Sequence, residues 1–144
     1  MTTSDSIVIG ADHAGYALKE FVKNYLASLN FTVKDCGPYD ENLVDYTDFG
    51  GLVAREVSSG AFERGILICG SGQGMAMVAN RFPNVRAALC NDLFSAIMCR
   101  RHNNANILAM GGRMIGTELA KEIVKNWLET PFEGGRHQRR IDKI

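Results

Sequence analysis

No stretch of this sequence is apolar for long enough to cross a bilayer, and neither sign of charge is in excess. Lys and Arg together number 16, Asp and Glu number 16, and the formal net charge is zero. A general nucleic-acid binder carries a surplus of Lys and Arg, so that class is set aside, although a local anion site is not. There is no low-complexity run, no linker and no solenoid-type repeat. No C-x-x-C pair occurs, and the four cysteines, Cys36, Cys69, Cys90 and Cys99, match no zinc motif. In a reducing compartment they read as free thiols and, by default, as small buried apolar residues. The start, Met1 to Ser6, lacks the basic and apolar pattern of a secretory signal, so a cytoplasmic protein with no membrane partner is expected.

What is present is a repeated strand-then-helix rhythm over 144 residues, enough for one domain with a core. Ile7-Val8-Ile9-Gly10 is short and apolar. Leu18, Phe21, Val22, Tyr25, Leu26 and Leu29 then recur at intervals of three and four, the stripe of a core-facing helix that Asn30 can stop. Residues 31–36 read as a second strand ended by Gly37-Pro38, and 39–46 as a loop. A helix is predicted over 48–58, and Gly65-Ile66-Leu67-Ile68-Cys69 reads as a central parallel strand, apolar throughout. A glycine turn and a short helix to about Arg81 follow, closed by Pro83. A strand over 86–90, a helix from an Asp92 cap to about Arg101, a strand over 107–110 and a helix over 117–128 complete the pattern. Residues 1–144 thus read as a single-domain three-layer αβα sandwich on a Rossmann-like five-stranded parallel sheet, with 130–144 a basic tail.

Ligands of an open parallel sheet bind beyond the carboxyl ends of its strands. There the sequence sets Asp12 and His13 after the first strand, Cys69-Gly70-Ser71-Gly72-Gln73-Gly74 after the third, Asn91 and Asp92 after the fourth, and Gly112 and Arg113 after the fifth. Three glycines in five residues let the backbone approach a ligand closely, and N–H groups opening a helix attract negative charge. The spacing is neither a dinucleotide fingerprint nor a P-loop, because no third glycine and no Lys-Ser stand at the required places. A helix N-terminus favours the thiolate form of a cysteine, which makes Cys69 a candidate base or nucleophile as well as a candidate core residue.

Other polar residues remain open to two readings. His102 is either a helix C-terminal cap or an acid–base group. Asp12 beside His13 either orients an imidazole or caps the first helix. Arg136, Arg139 and Arg140 either form a solvated face or an anion site within reach of a neighbouring subunit. A thiol redox reading of Cys69 lacks a resolving cysteine nearby in sequence.

Five segments together carry a family likeness: Gly10-Ala11-Asp12-His13-Ala14-Gly15, Asp35-Cys36-Gly37, 68–74, 101–106 and 135–140. In order and spacing the chain resembles ribose-5-phosphate isomerase type B, within the wider family that includes galactose-6-phosphate isomerase. The resemblance implies interconversion of ribose 5-phosphate and ribulose 5-phosphate, a pentose phosphate step, through an enediol and with no metal or organic cofactor. It makes Cys69 the base, since Met75 stands where some members carry a Glu. It makes His102 the ring-opening acid with Asp12 assisting, and gives Ser71 and the amides of Gly70, Gly72, Gln73 and Gly74 to the enediolate. Asn103 would bind hydroxyls, while His13, Arg113, Arg136 and Arg140 would hold the phosphate. A homodimer or homotetramer with sites between subunits is implied. The rival expectations are an isomerase of allose 6-phosphate or galactose 6-phosphate, and a non-catalytic phosphosugar-binding module.

Overall fold

Eleven elements occur among residues 5–144, which the computed structural model describes; the polar start at 1–4 lies outside the described residues. They are β1 (Ser6–Ala11), α1 (Tyr16–Ser28), β2 (Thr32–Asp35), α2 (Tyr46–Ser58), β3 (Gly65–Cys69), α3 (Gln73–Ala79), β4 (Ala87–Leu89), α4 (Leu93–Asn103), β5 (Ile107–Gly111), α5 (Thr117–Glu129) and α6 (Arg136–Ile141). The strands form one parallel sheet in the order β2-β1-β3-β5-β4. The expected αβα sandwich is therefore the observed architecture.

Alternation along the buried strands sorts the core into two layers. Ile7, Ile9, Ile66, Ile68, Leu108 and Met110 pack under α1, α4 and α5 with Leu26, Ala96 and Trp127. Val8, Leu67, Cys69, Ile107 and Ala109 pack under α2 and α3 with Val53, Val57 and Met75. Full burial of each large apolar side chain favours the fold by about 1.5–3 kcal/mol. The first connection lies on one face and the second on the other, so β1 and β3 flank a topological switch point.

Several boundaries differ from the sequence reading for local reasons. α3 ends at Ala79 rather than Arg81, because Asn80 turns its amide onto β4, accepting the Ala87 N–H at 2.8 Å and donating to its carbonyl at 2.9 Å. α2 starts at Tyr46, inside the expected loop. Asn30 ends α1 as expected, in the left-handed region at φ 67°. Asp92 caps α4 as expected, accepting the Ser95 N–H at 2.7 Å. The tail is not a solvated strand of charge: it folds into α6 and buries His137. Cys69, Cys90 and Cys99 are buried, Cys36 only partly so. Cys90 and Cys99 lie with sulfurs 3.8 Å apart, and this contact and burial push the Cys90 thiol up.

Candidate active site

The carboxyl edge of the sheet at the switch point holds a cleft of about 580 Å³ lined by Asp12, Tyr46, Cys69, Ser71, Gly74 and Arg113, among others. Its floor is backbone. Cys69 closes β3, and its Sγ accepts the Gly72 N–H at 3.2 Å. Gly72 caps α3 at φ 85°, where a Cβ would lie 2.5 Å from a Leu89 methyl and 2.9 Å from the Met110 carbonyl carbon. Glycine is required there on both counts. Ser71 Oγ accepts the Gln73 N–H at 3.2 Å, and Asn91 bridges the Ser71 carbonyl to the Gly111 N–H at 2.9 and 2.8 Å. The first-turn amides of α3 have no acceptor within the helix, so the turn presents partial positive charge to the cleft.

Asp12 is buried, and its Oδ1 accepts the N–H groups of Ala14 and Gly15 at 2.9 and 3.0 Å. It ties down the turn that leads into α1, whose own N-cap, Gly15, has no side-chain cap bond, and it does not pair with its neighbour. His13 turns the other way, with Nδ1 between the Val44 carbonyl and N–H at 3.2 and 3.3 Å. Gly15 presses so closely on β3 that a Cβ would sit 2.2 Å from the Ile68 carbonyl oxygen. Arg113 follows β5; its backbone N–H bonds the Gly70 carbonyl at 3.0 Å and its exposed side chain passes over Gly70. Met75 is fully buried against α2, in the core and away from the cleft.

The loop from β2 to α2, which carries Val44 and leads into Tyr46, is anchored by a buried charge cluster. Asp35 accepts from Lys19 at 2.6 Å, from Lys23 at 2.7 Å and from the Gly37 N–H at 2.8 Å. Lys19 has no exposed surface. Burial pulls the Asp35 carboxyl up, but the hydrogen bonds from Lys19, Lys23 and Gly37 outweigh it and hold the group below its ordinary value.

The remaining expected residues gather at the opposite, amino edge. α4 runs back along the sheet, so His102 and Asn103 at its end lie beyond the starts of β4 and β5. α6 folds against that end: the His102 and His137 rings stack at 4.2 Å and 12°, and the Glu133 N–H bonds the Arg101 carbonyl at 3.1 Å. Arg136 and Arg140 are exposed there, and Arg101 pairs with Glu133, holding that carboxyl low. Burial, with the adjoining His102 and Arg136, holds the His137 imidazole low. A cavity of about 640 Å³ at the same edge is lined by Arg64, Arg86 and Arg100. Those side chains bond carbonyls of Leu128, Asn103, Asn104 and Ala105, closing segment ends. One chain therefore brings Asp12, Cys69, Gly70–Gly74 and Arg113 together, with His13 beside them, and holds His102, Asn103, Arg136 and Arg140 apart from them.

The sequence profile of the Ribose/Galactose Isomerase family matches residues 7–144. The chain belongs to that family. It is 42% identical over 138 residues to ribose-5-phosphate isomerase B of Escherichia coli strain K12, covering 96% of this chain and 93% of that one. It is 45% identical over 141 residues to D-erythrulose-4-phosphate isomerase of Pectobacterium atrosepticum, covering 96% and 92%. A Thermotoga maritima ribose 5-phosphate isomerase superposes with a TM-score of 0.93 at 51% identity, covering 96% and 95%. The protein is accordingly a sugar-phosphate isomerase, which sets aside the non-catalytic binding module. No helix among the described residues is long and apolar enough to cross a membrane.

Sequence reasoning missed several groups of this isomerase. Tyr46 packs its ring on Gly74 at the cleft wall, and Met77 and Met114 form an apolar rim, 67% and 62% exposed. Asn91 braces the turn, and Glu133 with His137 surrounds His102. Asn91 is the exception, since the sequence already sets it directly after the fourth strand, although not its bracing role.

Proposed function

We propose that this isomerase interconverts ribose 5-phosphate and ribulose 5-phosphate at a site completed by a second copy of the chain. The observation that carries the reading is Cys69, its sulfur 3.2 Å from a backbone N–H, lining a cleft that already contains Asp12 and Arg113. The thiolate takes the proton from C2 of the open-chain aldose and returns it to C1. The negative charge this develops on oxygen meets Ser71 and the turn amides from Gly70 to Gly74. Asp12, held by two backbone N–H groups, assists at the sugar oxygens.

His102 opens the ring, Asn103 binds hydroxyls, and Arg136 and Arg140 join His13 and Arg113 in holding the phosphate. Binding energy at that remote anion positions the reacting carbons. Because His102 and the tail arginines lie at the amino edge of their own chain, they serve the cleft of a partner. The exposed Met77 and Met114 rim beside the cleft favours such a cover. A homodimer is the smallest assembly that satisfies this, and its sites are paired by symmetry.

Relatives named for four-carbon and five-carbon phosphates leave chain length as the variable. Initial rates with ribose 5-phosphate, erythrulose 4-phosphate, allose 6-phosphate and galactose 6-phosphate test it. The highest kcat/KM is expected with ribose 5-phosphate, and a preference for any other sugar replaces the substrate.

A further inference from the structure

We propose that His102, Glu133 and His137 form a zinc site whose occupancy inhibits the isomerase. Two imidazole nitrogens and a carboxylate oxygen from these residues lie within 4.8 Å of one another. They come from three segments: the end of α4, the stretch after α5 and the first turn of α6. The Glu133–Arg101 backbone bond fixes two of those segments against each other.

A second observation points at a ligand. His137 is 94% buried by its 6% exposure, yet its Nε2 has no hydrogen-bond partner among the described residues. It faces Glu133 Oε1 at 3.5 Å without making a hydrogen bond, and His102 Nε2 faces the same oxygen at 3.9 Å. Buried ring nitrogens are ordinarily paired. Here the buried His137 nitrogen and that of the half-exposed His102 converge on one oxygen, while the other carboxylate oxygen is held by Arg101. That division leaves Oε1 free to bind and fixes the carboxylate from outside, as outer partners of metal ligands do.

The donor set selects the ion. Imidazole and a single carboxylate suit zinc, whereas magnesium and calcium ask for more oxygens. Tetrahedral zinc with bonds near 2.1 Å spaces its ligand atoms about 3.4 Å apart. The His137–Glu133 pair already meets that spacing at 3.5 Å. The rings stack at 12°, so one must tilt for both nitrogens to reach a single ion. His102 is the half-exposed ring and is the one free to move. Three protein ligands leave a fourth position open to water or an anion.

Binding depends only on these three residues; inhibition rests on the proposed function, in which His102 opens the sugar ring. Calorimetric titration of the full chain with ZnCl2 in a non-coordinating buffer reads the first, and isomerase rate with added ZnCl2, then EDTA, reads the second. One zinc per chain is expected, retained in Cys69→Ser and weakened at least about tenfold in both His137→Gln and Glu133→Gln. Retained circular dichroism in the two variants establishes that they fold. Unchanged affinity in both variants, or loss of binding in Cys69→Ser, overturns the site. Zinc-loaded enzyme is expected to lose activity and regain it with EDTA. Full activity of the loaded enzyme overturns the inhibition and removes His102 from the reaction.

Discussion

The two edges of the sheet are built in opposite ways. At the carboxyl edge the reactive surface is backbone: a glycine cap at φ 85°, a sulfur against an amide, and Asn91 tying the turn to β5. At the amino edge it is side chain: exposed arginines on a six-residue helix and a pair of stacked histidines. The contrast follows from what each edge does in the proposed reaction. Moving a proton between adjacent carbons needs atoms held to a fraction of an ångström, which packed backbone supplies. Catching a phosphate needs reach and bidentate charge, which Arg supplies.

The largest effect that tests this division is at Cys69. Cys69→Ala is expected to lower kcat roughly a thousandfold while sugar-phosphate binding by calorimetry survives, since the base is lost and the anchors are not. Retained turnover would move the base elsewhere. Next comes a mixing experiment. Cys69→Ala and His102→Asn homomers should each be nearly inactive, yet after joint unfolding and refolding at equal amounts they should recover about a quarter of wild-type activity. Half of the dimers are then mixed, and each mixed dimer has one intact site. No recovery would mean that both edges serve the same chain.

A stability effect bears on the carboxyl edge. Asp35→Asn leaves the fully buried Lys19 with only the more exposed Glu20, at 3.2 Å, as counter-charge and is expected to cost about 2 kcal/mol in denaturant melts at neutral pH. Asp35 titrates below its ordinary value when folded. Its contribution is therefore complete above the unfolded carboxylate value, about 3.9, and fades as pH falls through the lower folded value. The melts of variant and wild type should converge in acid. A constant difference at every pH would show that packing, not charge, anchors the loop.

The smallest effect is at the amino edge. Arg136→Ala is expected to raise KM roughly tenfold with little change in kcat, because the phosphate contact is made in ground and transition states alike. A fall in kcat with unchanged KM would assign that arginine to the chemistry.

What the sequence made legible divides along local and non-local lines. β3 is readable because a strand covered on both faces is apolar without interruption, and Asp92 because its cap bond to Ser95 closes within three residues. The glycine turn is readable as a turn, but not that Gly72 must clear Leu89 and Met110, which arrive from other strands. α6 is not readable: six residues with one buried side chain carry no period, and His137 is buried only because the α4 end lies beneath it. Tyr46 reads as loop because its helix is fixed by packing on Gly74. The position of His102 is implied by the strand–helix alternation itself, since a helix returning from the carboxyl edge ends at the amino edge.

The strand order also governs a chain still being made. β3 pairs with β5, not with the next strand in sequence, so β2, β1 and β3 can assemble on the ribosome while one edge of β3 stays unpaired until residues 107–111 emerge. During that interval a fully apolar strand presents open hydrogen-bonding groups, the condition under which nascent chains stick to one another. The Gly72 cap rests on Met110, so the turn that would hold the enediolate sets only when β5 docks. Its residues are synthesised mid-chain, but its geometry is among the last things the growing protein acquires.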